Sequence, residues 1–575
     1  MYKFINKKLM KAFSLSLILV LLVAGCSEKD VVEEDKGQDN EGKPATWIAD
    51  REIEGLIFMS SGDASTGMNP EIAAELKEKT GITLKLQTVD ASSSLQALTA
   101  GLAAGDLPDF IAYYLNNSGR PEMQILLKGA REGMFADVTP FLKESTTYSK
   151  YLTDGFLPTD TRDNIMFRPE FDGASYLVHM SIPRKSGIEA QKNKRSYVGG
   201  PYIRKDIVEE LGIDPSEITN SEELYELAKK INDGNFKDDN GKTITAIGPT
   251  AWGGEDRDYL YNDLVWTGPS GEKFLKDEKD GEIKHESQTE FGLNRIEFVH
   301  KLMDEKLMHP EFYTMEESRA TEGLVNRSFG IISDMHNYLI ENKDLKYVPL
   351  GPMDTAEGEY KMQVPYKGGY AGWSIPSTTK NPGDVVKLAD FLASREGKLL
   401  ANYGIEGRDY TLDDKGNPLV NESVLDLKES NYAEATKLGF RGVGSYWAEH
   451  LGYTDVDLLE DFGEVEYGTA VRPESDKAAD EIRKMYKYDE LLANAEVVDG
   501  MTPQSFIFEY ENGEQLKIAL DNYNESLLRA YYSKSMDEAK SIMDAAAKQL
   551  DKAGLNEYIE FITEKDSHEN TKLKY

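Results

Sequence analysis

Aromatic side chains set among glycines are the part of this sequence best equipped to hold a small molecule. Three stretches have that make-up: Thr250-Ala251-Trp252-Gly253-Gly254-Glu255-Asp256, Gly368-Gly369-Tyr370-Ala371-Gly372-Trp373-Ser374 and Gly442-Val443-Gly444-Ser445-Tyr446-Trp447. An aromatic face packs on the apolar C–H faces of a sugar ring, while nearby Asp, Asn, Arg and Gln reach its rim of hydroxyls. A peptide or modified amine would use the same rings. Most tryptophans in folded chains pack in cores. The glycine neighbours of Trp252, Tyr370, Trp373, Tyr446 and Trp447 are what favour exposed loops here.

Groups for breaking bonds are harder to assemble. The seven histidines, at 179, 285, 300, 309, 336, 450 and 568, show no HExxH or paired metal spacing, and no GxSxG elbow or P-loop occurs. Cys26 is the only cysteine, which excludes a disulfide within the chain and leaves no catalytic thiol. Carboxylate pairs abound, with 102 Asp and Glu against 66 Lys and Arg. A glycosidase-like acid pair therefore stays open, and a surface glycosidase or lyase is the rival from another class. The formal charge of −36 keeps the protein soluble and repels nucleic acid and anionic lipid surfaces.

The N-terminus sets the location. Lys3, Lys7, Lys8 and Lys11 precede an apolar run from Phe13 to Val23, too short for a permanent membrane span but suited to a signal-peptide core. The run ends Leu22-Val23-Ala24-Gly25-Cys26, which resembles the bacterial lipobox. Cys26 would then be the acylated first residue at the outer face of the cell membrane, and residues 1–25 the removed signal. Residues 26–50 are polar and acidic and read as a disordered tether.

The residues that would grip a ligand need a scaffold, and the following sequence is α/β. Leu56-Ile57-Phe58-Met59 reads as a strand, and Asn69-Pro70 opens a helix that Gly81 ends. Ile82–Leu86 alternates like a strand, Leu95–Ala104 is helical and Phe110–Tyr113 is a further strand. Such repetition implies crossover connections and largely parallel sheets flanked by helices. Ligands gather at the carboxyl ends of strands in such sheets, so Tyr113, Tyr114, Asp334 and Asn337 join the candidates. A second α/β unit begins after Pro183, with helices at Ser221–Ile231 (capped by Asn220 or Ser221) and Glu290–Lys306. Asn381-Pro382 opens another helix, and the last third is mostly helical, including Met536–Ala553 and Asn556–Thr563.

Several segments resemble, in order, the extracellular solute-binding protein family 1, in its large Gram-positive lipoprotein branch. They are Ala103-Ala104-Gly105-Asp106-Leu107-Pro108-Asp109, Asp172–Leu177 with Ile182-Pro183, Tyr202-Ile203-Arg204-Lys205-Asp206 with Glu210–Ile213, Ser221–Tyr225, Lys306–Phe312 and Asn402-Tyr403-Gly404-Ile405-Glu406-Gly407-Arg408-Asp409-Tyr410. The resemblance implies a two-lobe periplasmic-binding-protein-like fold of type II, with solute held between lobes. It places 51–178 plus 364–425 in the first lobe and 179–363 plus 426–575 in the second. It further implies no catalysis and a monomer that delivers its solute, an oligosaccharide by the aromatic clusters, to the permease of an ABC importer. Presentation to a membrane sensor is a further alternative.

In family members the stretch Asn235–Gly248 is often an EF-hand-like calcium loop, which would make Asp238 and Asn240 metal ligands. Here Ile244 and Thr245 stand where the closing acids belong. A plain Asn-Gly turn is favoured, and no cofactor is required.

Overall fold

Local chemistry accounts for where the elements begin and end. The Asn69 side chain accepts the backbone N–H groups of Glu71 and Ile72, Pro70 supplies the first helical residue, and Gly81 ends the turn at φ +71°. Helix α1 therefore spans Pro70–Thr80, followed by α2 (Ser94–Ala104) and α3 (Glu122–Arg131). The computed structural model describes residues 47–60, 68–90, 93–115, 122–152, 157, 160–168, 171–180, 199–250, 259–264, 273–277, 281–335, 342–356, 358–366, 371–414, 416, 418–452, 474–499, 501–566 and 573–575. Cys26 and the acidic tether lie outside them. Among the described residues no helix is long and apolar enough to cross a membrane.

The strands run β1 (Glu52–Ser60), β2 (Thr83–Asp90), β3 (Phe110–Tyr114), β4 (Val178–His179), β5 (Tyr202–Arg204), β6 (Thr245–Gly248), β7 (Phe274–Lys276), β8 (Ile283–His285), β9 (Phe329–Ile332), β10 (Tyr347–Pro349), β11 (Gln363–Tyr366), β12 (Ala371–Ser374), β13 (Tyr410–Leu412), β14 (Pro418–Val420) and β15 (Glu496–Asp499). One sheet has the order β2-β1-β3-β12-β4 and the other β10-β5-β9-β6. Crossover repetition predicts mostly parallel sheets, and this needs correcting. β1 pairs parallel with β2 and β3, but β12 runs antiparallel to β3 and β4. In the second sheet β6 and β9 are parallel while β5 opposes both its neighbours. In the first sheet the cause is β12, which enters from a distant stretch of chain and runs opposite to β3. The fold is two-lobed and α/β, with mixed sheets.

Each sheet has its own apolar core. The first gathers Ile53, Ile57, Phe110, Ile111, Val178 and Trp373, closed by Val385, Leu388 and Leu392 from the helix Pro382–Ala393. The second gathers Ile203, Ile247 and Ile331 with Leu224, Val299, Leu520 and Leu550 from the helices around them. Trp447, Ala448 and Leu451 pack into the first core. The helix Tyr446–Leu451 thus packs against the core of the first sheet. Burial explains this: Trp447 donates its Nε1–H to Gly439 O at 2.7 Å inside that core.

Candidate functional site

Parallel pairing aligns the carboxyl ends of β1, β2 and β3 on one edge of the first sheet, where α2 and α3 begin. Ser94, at the start of α2, donates its hydroxyl to Oε1 of Glu122 at the start of α3. Both side chains are 1% exposed, and Oε2 of Glu122 has no hydrogen-bond partner among the described residues. A buried carboxylate oxygen without a donor is expensive unless something else supplies one. The group stands at the edge where an α/β sheet receives its ligand.

The second sheet offers a matching edge. β6 and β9 are parallel, with Gly248 opposite Ile332, so Thr250, Ser333 and Asp334 follow on the same side. All three are buried. Asp334 Oδ1 accepts the backbone N–H of Gly200 at 3.1 Å, just before β5, and Ser333 Oγ has no hydrogen-bond partner among the described residues. Each edge thus carries a buried oxygen with no partner among the described residues.

The predicted site residues divide between edge, interior and undescribed chain. Asp334 lies on the second edge, and Tyr114 is half-buried at the end of β3. Tyr113 is interior: its hydroxyl is 2.6 Å from Ser374 Oγ, and burial raises its pKa well above the usual tyrosine value. Trp373 is fully buried inside β12, with its ring 4.9 Å from that of Phe110, so it is a core residue and not a platform. The loop expectation fails there because the glycines serve packing. A Cβ on Gly372 would collide with Leu177 and Leu115. Trp447 is likewise a core residue, and Tyr446 packs against the same core with its ring 4.3 Å from His450. Trp252, Tyr370 and Asn337 lie outside the described residues.

Sequence reading missed Ser94, Glu122 and Ser333. A Glu following Pro121 in the first turn of a helix is an ordinary dipole-favoured choice, so nothing in the sequence marks its burial. The calcium candidates Asp238 and Asn240 lie in a turn with Gly241 at φ +78°. Among the described residues no three His, Cys, Asp or Glu side chains are grouped to hold a metal.

Residues 61–399 match the sequence pattern of the bacterial extracellular solute-binding proteins. The chain belongs to that family. Members of this solute-binding family bind and deliver solutes and are not enzymes. The chain is also similar to lipoprotein LipO of Bacillus subtilis, at 22% identity over 417 residues covering 69% of this chain and 73% of that one. Among solved structures, the alginate-binding protein AlgQ2 without calcium ion gives a TM-score of 0.62 at 19% identity, covering 91% of this chain and 99% of that one. FusA of S. pneumoniae, an ABC-transporter substrate-binding protein in complex with kestose, gives 0.64 at 16% identity, with 89% and 98% covered. An HMO-binding, ABC-transporter-associated solute-binding protein from Bifidobacterium longum infantis gives 0.61 at 16%, covering 89% and 98%. These solute-binding structures share the two-lobe α/β fold.

Proposed function

We propose that this solute-binding protein is a lipid-anchored lipoprotein that captures an oligosaccharide between its lobes and hands it to the permease of an ABC importer. The observation that carries the saccharide reading is the set of three structural neighbours with TM-scores of 0.61 to 0.64, associated respectively with alginate, kestose and HMO. The chemistry of the two edges agrees with it. Oε2 of Glu122 and Oγ of Ser333 are buried oxygens without partners among the described residues. A sugar hydroxyl donates to a carboxylate and both donates to and accepts from a serine. Contacts from both lobes would favour a closed form over an open one, which is how binding energy becomes a signal to the permease. Packing supports a first lobe of about 47–180 plus 371–452 and a second of about 199–366 plus 474–575.

Anchoring rests on Cys26 and on the likeness to a lipoprotein of Bacillus subtilis. Replacing Cys26 by Ala should release the protein into the medium and abolish labelling with a palmitate analogue. Labelling that persists in the variant would remove the anchor.

The test of cargo is a thermal-shift screen of the protein against neutral oligosaccharides, acidic oligosaccharides and peptides. A saccharide at 100 times its dissociation constant adds about 2.7 kcal/mol of stability. Stabilisation by peptides alone would replace the saccharide reading with a peptide receptor. Glu122→Gln should weaken saccharide binding about tenfold, the loss of one charge-assisted hydrogen bond.

A further inference from the structure

We infer that Arg327 and Lys237 act as built-in cations that close the loop Asn235–Thr245, taking the part that a divalent ion would play in an EF-hand-like loop. Several of the side-chain oxygens such an ion would need are already bonded. Asp239 Oδ1 receives Arg327 Nη2 at 2.5 Å and Arg327 Nε at 2.8 Å. Asp238 Oδ1 accepts the backbone N–H groups of Asn240 at 2.9 Å and Lys242 at 2.8 Å, and its Oδ2 accepts the Ser328 hydroxyl at 3.3 Å. The Lys237 ammonium donates to Asn235 Oδ1 at 2.9 Å and Thr243 Oγ1 at 2.6 Å. Calcium needs six to eight oxygen ligands. In this loop Asn235 Oδ1, both oxygens of Asp238, Asp239 Oδ1 and Thr243 Oγ1 already face a donor of the chain.

The backbone carbonyls of Lys237, Asp238 and Lys242 are engaged as well. Lys237 O accepts Arg204 Nη1 at 3.0 Å, Lys242 O accepts the N–H of Asp238 at 2.8 Å, and Asp238 O accepts that of Gly241 at 3.0 Å. Arg204 is buried, and its Nη1 also holds the carbonyl of Arg327 at 2.7 Å. Asp206 then joins the two guanidiniums, 2.5 Å from Arg204 Nη2 and 3.2 Å from Arg327 Nη1. Asp206 and Asp239 pair with Arg204 and Arg327, Asp238 feels the charge of Lys242, and the Lys237 ammonium is held by Asn235 and Thr243. A divalent ion would enter a neighbourhood whose formal charge is already balanced towards positive, and would have to displace an arginine fork and a lysine to find ligands. The loop therefore joins β5, β6 and β9 by charge pairs within the chain, and the folded protein has no calcium requirement there.

The experiment is calcium titration by calorimetry and thermal denaturation of the full chain in excess EDTA and in millimolar calcium. The wild type should give no binding heat, and its Tm should differ by less than about 1 °C between the two conditions, since only a ligand of the native state shifts Tm. Arg327→Gln should lower Tm by about 2 °C, with Arg327→Lys recovering part of the loss, because a half-exposed pair contributes modestly and an ammonium lacks the fork. Asp239→Asn in the Arg327→Gln background should bring little further loss, since the partner is already gone. Calcium binding by the wild type that disappears in Asp239→Asn would overturn the inference, whatever the variants at Arg327 do. So would an Arg327→Gln protein as stable as the wild type.

Discussion

Two buried carboxyl groups, one beside each core, are held by opposite means. Asp390 in the first lobe receives four neutral N–H groups: Trp47 Nε1 and Thr146 N on one oxygen, each at 2.9 Å, and Thr147 N at 2.7 Å and Tyr148 N at 2.6 Å on the other. Glu286 in the second lobe instead has a counter-ion, with Arg295 Nη2 at 2.6 Å and the Tyr523 hydroxyl at 3.1 Å on the same oxygen. Burial pushes the Glu286 pKa up, but Arg295 and Lys273 outweigh it and hold the carboxyl below its usual range. The first arrangement offers the carboxyl group four fixed donors, three from the backbone and one from an indole. The second concentrates two opposite charges in the interior, where each is stable only while the other is present.

That contrast is broken most severely at Arg295. Arg295→Met leaves Glu286 buried without its cation and should destabilise the protein by about 3–5 kcal/mol, read by urea denaturation. Adding Glu286→Gln should recover much of the loss; a double variant as unstable as the single one would show that Arg295 acts by packing alone.

Acid should act next. His285 neighbours the Glu286 cluster, and burial lowers its pKa to about 4 from an ordinary 6.5. A histidine kept neutral in the fold takes up its proton first in the unfolded chain. Its contribution is complete above about pH 6.5 and is lost as pH falls towards 4, amounting to about 3 kcal/mol. His285→Asn keeps an acceptor for the Ser287 N–H and should flatten stability over that window. An unchanged slope would transfer the acid sensitivity to other groups, of which His450, also lowered to about 4 by burial, is the next to test.

Asp390→Asn should come third, at about 1–3 kcal/mol. Its amide would turn a donor towards the two N–H groups on one side, leaving them unpaired without introducing an unbalanced charge. The smallest change in stability, within about 0.5 kcal/mol of zero, is expected for Glu122→Gln. Its Oε2 has nothing to lose in the free protein, so the effect should fall on solute affinity.

The elements fixed by local chemistry were legible in the sequence. Asn69 and Pro70 start α1 and Gly81 ends it, and Asn220 caps the helix Ser221–Asp233 by accepting the Glu223 N–H. Strands at Leu56–Met59 and Phe110–Tyr113 fall inside β1 and β3, and the helices at Asn381-Pro382 and Met536 begin as expected. What could not be read was long-range. β12 is a strand only because β3 and β4 flank it, and β11 pairs with β15 across more than a hundred residues. Trp373 was misjudged for this reason: glycines in a loop and glycines in a crowded strand look alike in one dimension. The candidate site suffered in the same way, because burial of Glu122 and Ser94 depends on two helix starts meeting.

The placement of β12 also sets a schedule for the molecule. Tyr113 and Ser374 are bonded across 261 residues, and β12 fills the slot between β3 and β4. A nascent or translocating chain that has emerged only as far as β4 holds two bare strand edges with no tenant for the gap. The first lobe must wait, open-edged and prone to adventitious pairing, until nearly two-thirds of the polypeptide has emerged. Folding of this protein is therefore expected to be late and global, and a secretion chaperone would find its longest-lived target at that unfilled slot.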